Sequence, residues 1–262
     1  MKYVTILTIL ATMFACTPTQ KSEKETPAET PAEQVPEITL TKAPSSPEFP
    51  GASLVKKEVT TEATDSLYAV KYDFEVTNYE LGAQTEDAAT RGIANSGKGQ
   101  HIHYIVNNGP YAAHYMPGVS DELAAGNYVV LAFLSRSYHE SLKNEEAFHI
   151  ENLTVGDVAP DAADLTTPHL FYSRPKGTYK GADTKKLMLD FYLLNAEISP
   201  EGNKVKAVIN GKEFMIDEWA PYFIEGLPLG EVSIKLELID AEGNFIEGPF
   251  NRVERTVTLA AE

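Results

Sequence analysis

Cysteine is almost missing from this chain: Cys16 is the single one in 262 residues. A lone thiol excludes an internal disulfide, so nothing covalent can staple the fold. Tryptophan is as scarce, with Trp219 alone, and 22 basic residues face 38 acidic ones. The resulting net charge of −16 argues against nucleic acid as a partner and against electrostatic docking onto an anionic membrane surface. The deficit is shared, −7 over residues 65–155 and −7 over 156–262, which describes a solvated acidic surface and not an acidic tail. A Gly-rich phosphate loop, a Gly-x-Ser-x-Gly elbow and a His-Glu-x-x-His helix are all absent, and no carboxylate pair is singled out for acid–base work. The sequence therefore predicts no enzyme and no cofactor.

What is present begins at the first residues. Lys2 supplies a cationic start, Tyr3 to Leu10 an apolar run, and Met13-Phe14-Ala15-Cys16 a small residue directly before the cysteine. The run is too short to span a bilayer, and its small-residue end fits a lipoprotein signal peptide over residues 1–15, with Cys16 as the acylated residue. Acylation accounts for the one thiol without a redox role. The expected location is the cell envelope, lipid-anchored, at the outer membrane with either face open, and the membrane is engaged through the lipid alone. Residues 16–50 are rich in Pro, Glu and Thr, with the tandem Glu25-Thr26-Pro27-Ala28 and Glu29-Thr30-Pro31-Ala32. Such a segment buries too little apolar surface to offset its ordering entropy and reads as a disordered tether.

Beyond Pro50 the texture is β. Tyr68 to Val76, Ile102 to Val106, Asn127 to Leu134 and Val232 to Leu238 read as strands, and Asn108-Gly109, Asn210-Gly211 and Gly243-Asn244 mark tight hairpins. An internal repeat organises them. Asp73-Phe74-Glu75-Val76-Thr77-Asn78 matches Asp190-Phe191-Tyr192-Leu193-Leu194-Asn195, Ile105-Val106-Asn107 returns as Val208-Ile209-Asn210, and Leu123 to Tyr128 meets Leu227 to Val232. The predicted fold is all-β: two tandem immunoglobulin-like β-sandwiches, over 51–158 and 168–262.

Duplicated scaffolds share their cores, so function should lie where the copies differ. The first copy inserts Gly82 to Gly99 between matched strands and runs on into Ser135-Arg136-Ser137-Tyr138-His139-Glu140-Ser141-Leu142-Lys143. In a sandwich these two connections emerge at one end. Arg91, Lys98, His101, His103, Arg136, His139 and Lys143 are therefore candidates to converge. The second copy has no histidine at the aligned positions. The leading expectation is a non-enzymatic site for an anionic or polar ligand, held by guanidinium forks and imidazoles. The alternative is copper or zinc at His101, His103 and His139, because His-x-His on a strand puts two rings on one face about 7 Å apart. A purely structural or adhesive module is the third reading. His114, His149 and His169 stand alone and read as structural, and Trp219 reads as packing.

Ala94-Asn95-Ser96-Gly97-Lys98-Gly99-Gln100-His101-Ile102-His103, Ser135-Arg136-Ser137-Tyr138-His139-Glu140-Ser141 and Pro221-Tyr222-Phe223-Ile224-Glu225-Gly226-Leu227-Pro228 resemble a family of uncharacterised lipoproteins found mainly in Bacteroidota. The likeness covers nearly everything after Pro44. It implies an envelope compartment and the two-part architecture. Members of that family are sometimes labelled phosphopeptide-binding.

Overall fold

The structure is a computed structural model that describes Met1, Tyr3 and residues 37–262. Cys16, the rest of the signal segment and the tether up to residue 36 lie outside the described residues. Sixteen strands follow one another among those described: β1 (Thr39–Lys42), β2 (Ser53–Ala63), β3 (Tyr68–Thr77), β4 (His101–Val106), β5 (Ala112–His114), β6 (Gly118–Leu123), β7 (Gly126–Ser135), β8 (Phe148–Val155), β9 (His169–Arg174), β10 (Thr178–Lys180), β11 (Lys186–Leu194), β12 (Lys204–Ile209), β13 (Lys212–Ile216), β14 (Tyr222–Glu225), β15 (Gly230–Ile239) and β16 (Arg252–Ala260). Among the described residues no helix is long and apolar enough to cross a membrane.

The strands form two immunoglobulin-like sandwiches. In the first, sheet β2-β3-β6 faces sheet β5-β4-β7-β8; in the second, β1-β14-β11-β9 faces β10-β16-β15-β12-β13. Period-2 alternation fills each core. Val232, Ile234, Leu236 and Leu238 of β15 point inward in the second sandwich, as Val70, Tyr72 and Phe74 of β3 do in the first. The duplication reaches the turn chemistry. Asn107 and Asn210 both take a left-handed φ, 48° and 46°. The side-chain oxygen of each accepts from a backbone N–H of the strand across the sheet, Val129 at 2.7 Å and Ser233 at 2.9 Å.

Two strands of the first sandwich break the simple pattern. Residues 101–105 of β4 are all buried, and so is β7 from Val129 to Ser135. Ile102, Tyr104, Val130, Ala132 and Leu134 enter the sandwich's own core. The opposite face, Ile105, Leu131 and Phe133, packs on Phe171 of β9 and Tyr192 of β11. The outer face of one sandwich is thus buried against the outer face of the other. The hairpin after β4 reinforces the contact. Asn108 donates to the Leu170 and Phe250 carbonyls at 3.0 and 3.1 Å and accepts from Tyr172 N–H at 2.8 Å, and Arg255 donates back to the Asn108 and Gly109 carbonyls.

The first described strand lies where composition predicts tether. β1 pairs with β14, Thr39 opposite Glu225 and Lys42 opposite Tyr222, so residues 39–42 complete a sheet of the second sandwich. The chain then crosses to the first sandwich. Proline offers a carbonyl but no N–H, and the body of the protein satisfies those carbonyls. Arg91 donates to the Pro44 and Ser45 carbonyls at 2.8 and 2.7 Å, and Arg136 to that of Pro47 at 2.6 Å. A Pro-rich composition denies this stretch a core of its own, but not a place on another one.

Because Phe171 is fully buried between the sandwiches, Phe171→Ala should lower stability by about 3–5 kcal/mol, the usual cost of emptying a buried aromatic position. Scanning calorimetry of the whole chain should show one transition moving down as a unit. A second-sandwich transition that shifts alone would show that the interface carries little energy.

Candidate functional site

Strand β4 positions the site. Its period puts Ile102 and Tyr104 in the core, which leaves His101 and His103 on the face turned toward the second sandwich, both with no exposed surface. The loop of residues 82–99 leads into this strand and is closed by backbone bonds between Gly82 N–H and the Gln100 carbonyl and between Gln100 N–H and the Ala83 carbonyl. Gly99 sits at the closure with φ +88°, where a Cβ would come within 2.2 Å of the Gly82 oxygen, so only glycine fits there. Its carbonyl, held in place by that constraint, receives His101 Nδ1–H at 2.8 Å.

The connection after β7 supplies the third ring. His139 closes a turn by donating its backbone N–H to the Arg136 carbonyl at 2.8 Å, and it takes a left-handed φ of 70°. That conformation is uncommon for a side-chain-bearing residue and marks a position held by its surroundings. The two loops are locked together: Ser137 N–H donates to Thr85 Oγ1 at 3.0 Å, Thr85 N–H donates to Ser137 Oγ at 3.2 Å, and Ser96 N–H reaches the Ser137 carbonyl at 2.8 Å.

The three imidazoles converge. His101 Nε2 lies 3.0 Å from His103 Nε2 and 3.0 Å from His139 Nδ1, and one nitrogen of each ring falls within a 4.8 Å span. The Gly99 carbonyl can only accept, so His101 carries its proton on Nδ1 and turns a bare Nε2 toward the other two rings. His103 Nδ1 is 3.2 Å from Ser173 Oγ, a residue of the second sandwich. Tyr111 stacks on His103 at 3.6 Å between centroids, and its hydroxyl is 3.1 Å from His139 Nδ1. Burial lowers the His101 pKa to about 4 against a partial offset from the Gly99 carbonyl. Burial, followed by the neighbouring rings and the cations Arg174 and Lys176, drives His103 and His139 down as well. All three rings are therefore neutral near pH 7, which is the state a metal requires of imidazole.

The expected cations are placed otherwise. Arg91 pairs with Asp87 and donates to the crossing segment, beneath the Tyr138 ring. Arg136 pairs with Glu140 at 3.0 Å and binds the Pro47 carbonyl. Burial pushes the Glu140 carboxyl up, against the pull of Arg136. Lys143 pairs with the fully buried Asp190 of β11 at 3.0 Å, an oxygen that also receives Ser141 Oγ at 3.1 Å. Lys98 is exposed and lies over the Tyr115 ring at 5.4 Å. None of the four is hydrogen-bonded to the histidines; the two arginines and Lys143 hold loops, crossing segment and sandwiches together. Trp219 donates to the Phe191 carbonyl at 3.0 Å and packs edge-on against Tyr192. Tyr111, Ser173, Arg174 and Lys176 were not singled out in the sequence, since three of the four sit in the other copy and only the docking of sandwiches brings them here.

Fold and site together define a tandem immunoglobulin-like sandwich protein with a buried three-histidine cluster where its halves meet. No protein-family model and no curated protein matches the chain. Among solved structures it is similar to the fibronectin(III)-like modules of CbhA from Clostridium thermocellum, at 9% identity over 78% of this chain and 95% of that one, with a TM-score of 0.28. It is similar also to the two tandem V-type regions of VCBP3, a v-region-containing chitin binding protein, at 8% identity over 86% of this chain and 99% of that one, with a TM-score of 0.23.

Removing Asp190 would strand the Ser141 N–H and leave Lys143 and the Ser141 hydroxyl with only each other, at 2.9 Å. Asp190→Ala should therefore cost about 1.5–3 kcal/mol, the scale of hydrogen bonds to a charged group, measured by urea unfolding. An unchanged midpoint would show that this ion pair does not hold the halves together.

Proposed function

We propose that this protein is a lipid-anchored, non-enzymatic envelope module whose first sandwich binds copper or zinc through His101, His103 and His139. The convergence of three neutral imidazole nitrogens carries this reading. Ligand atoms on a tetrahedral ion with bonds of roughly 2.0–2.1 Å stand about 3.3 Å apart; the two pairs made by His101 are at 3.0 Å and all three atoms lie within 4.8 Å, so an ion needs the His101 contacts to open slightly and the His103 and His139 nitrogens to draw together. The support behind the rings fits as well. A metal-bound histidine commonly donates its far N–H to a carbonyl or other fixed acceptor, as His101 does to Gly99 and as His103 can to Ser173. An anionic ligand bound through Arg91, Arg136 and Lys143 is less well supported, because each already has an acidic partner.

Untagged protein should take up one equivalent of copper or zinc by plasma mass spectrometry. The pair His101→Ala with His139→Ala should weaken uptake at least 100-fold, while Arg136→Ala should lower the melting temperature and leave stoichiometry unchanged. Since His101 is lowered to about 4, it is unprotonated above that value, and uptake should persist at pH 5 where ordinary histidines with pKa near 6.5 are charged. No uptake of either metal by the wild type would refute the reading.

Anchoring belongs to the same proposal and rests on the Met13-Phe14-Ala15-Cys16 motif. Cys16→Ser should abolish incorporation of labelled palmitate and release the protein from the membrane fraction. A mutant still acylated and still sedimenting with membranes would remove the lipoprotein claim.

A further inference from the structure

We infer that this centre selects copper(I) over zinc(II), because the second sandwich closes it with two cations and offers it no carboxylate. The inference rests on the metal reading above and adds to it the charge and oxidation state of the ion.

Lys176 sits with Nζ 3.9 Å from the centroid of the Tyr111 ring and donates to the Tyr111 carbonyl. That same ring stacks on His103 and places its hydroxyl beside His139. Arg174 is buried, and its Nε and Nη2 are held by the Tyr179 hydroxyl at 3.2 and 2.7 Å. Its Nη1 is buried without a hydrogen-bond partner, and no ion pair to Arg174 or Lys176 occurs among the described residues. Ser173, the residue before Arg174, meets His103 Nδ1 at 3.2 Å, and the cluster of three imidazoles includes no carboxylate. On a chain of net charge −16 this is a locally positive pocket.

The ligands themselves are neutral, so the site gives an incoming ion no charge compensation. Coulomb repulsion from a fixed cation scales with the charge of the ion, and buried surroundings screen it poorly. A dication is repelled twice as strongly in free energy as a monocation at the same point. Zinc(II) also wants a fourth ligand, whereas copper(I) is satisfied by three imidazoles.

The test is competition on the untagged full chain, with bicinchoninate as the copper(I) probe under reductant and a zinc-responsive dye for zinc(II). Wild type should hold copper(I) roughly 10-fold or more tighter than zinc(II), the order of magnitude that two cations give by the charge argument. Lys176→Gln keeps a donor for the Tyr111 carbonyl but removes the charge, and Lys176→Arg keeps the charge. In the Gln variant the zinc affinity should rise by about the square of the factor by which copper(I) affinity rises, for instance roughly 10-fold against roughly 3-fold. The Arg variant should leave both near wild type. Equal affinities for the two ions in the wild type, or equal gains in the Gln variant, overturn the selectivity while leaving a metal centre standing. Failure to bind either ion overturns the centre and the selectivity together.

Discussion

Everything distinctive in this protein depends on one strand being covered on both sides. β4 lies in the four-stranded sheet of the first sandwich, with Ile102 and Tyr104 sealed in its core, while His101, His103 and Ile105 face the second sandwich. A strand at the surface of an ordinary sandwich would leave those imidazoles in water, titrating near pH 6.5 and free to rotate. Docking removes the water, lowers the pKa of the rings and brings Ser173 to His103, while Gly99 of the first sandwich's own loop fixes His101. The second copy is the wall that turns a surface strand of the first into an interior one.

The cations show how an acidic protein uses its few basic residues. Arg91 and Arg136 are buried, and each grips carbonyls of the proline-containing crossing segment as well as a carboxylate. Guanidinium is suited to this because its planar fork serves several acceptors at once. Lys143 reaches across to Asp190. These residues stand at the end of the sandwich where the long loops gather, as their positions in the chain imply, yet they are consumed in holding that end together. The three imidazoles stand outside that network and contact chiefly one another, Tyr111 and Ser173.

The sandwiches and their duplication were legible because alternation, Asn-Gly turns and the repeated Asp-Phe strand are local features. The three histidines were legible as a group through a topological argument about which loops share an end. What escaped was the docking, although its signal was present. β3, Tyr-Ala-Val-Lys-Tyr-Asp-Phe-Glu-Val-Thr, alternates cleanly, and Asp73 is exposed. Its counterpart β11, Lys-Leu-Met-Leu-Asp-Phe-Tyr-Leu-Leu, keeps one acidic position inside an otherwise apolar run, and that residue, Asp190, is fully buried. An unbroken apolar strand is one covered on both faces, and β7 reads the same way. Residues 39–50 were hidden for the opposite reason: their order comes from partners far along the chain, so local composition could not announce it.

The path of β1 has a consequence for how the molecule survives proteases. The chain contributes a strand to the second sandwich before it builds the first, and it returns to the second only after residue 155. The stretch from 156 to 167, largely exposed and without regular structure, is the natural place for a protease to cut. Such a cut would not free the second half, because β1 remains laced into its sheet and Arg91 and Arg136 grip the segment that follows. The severed parts stay held together by that strand pairing and by the packing of Ile105, Leu131 and Phe133 on Phe171 and Tyr192.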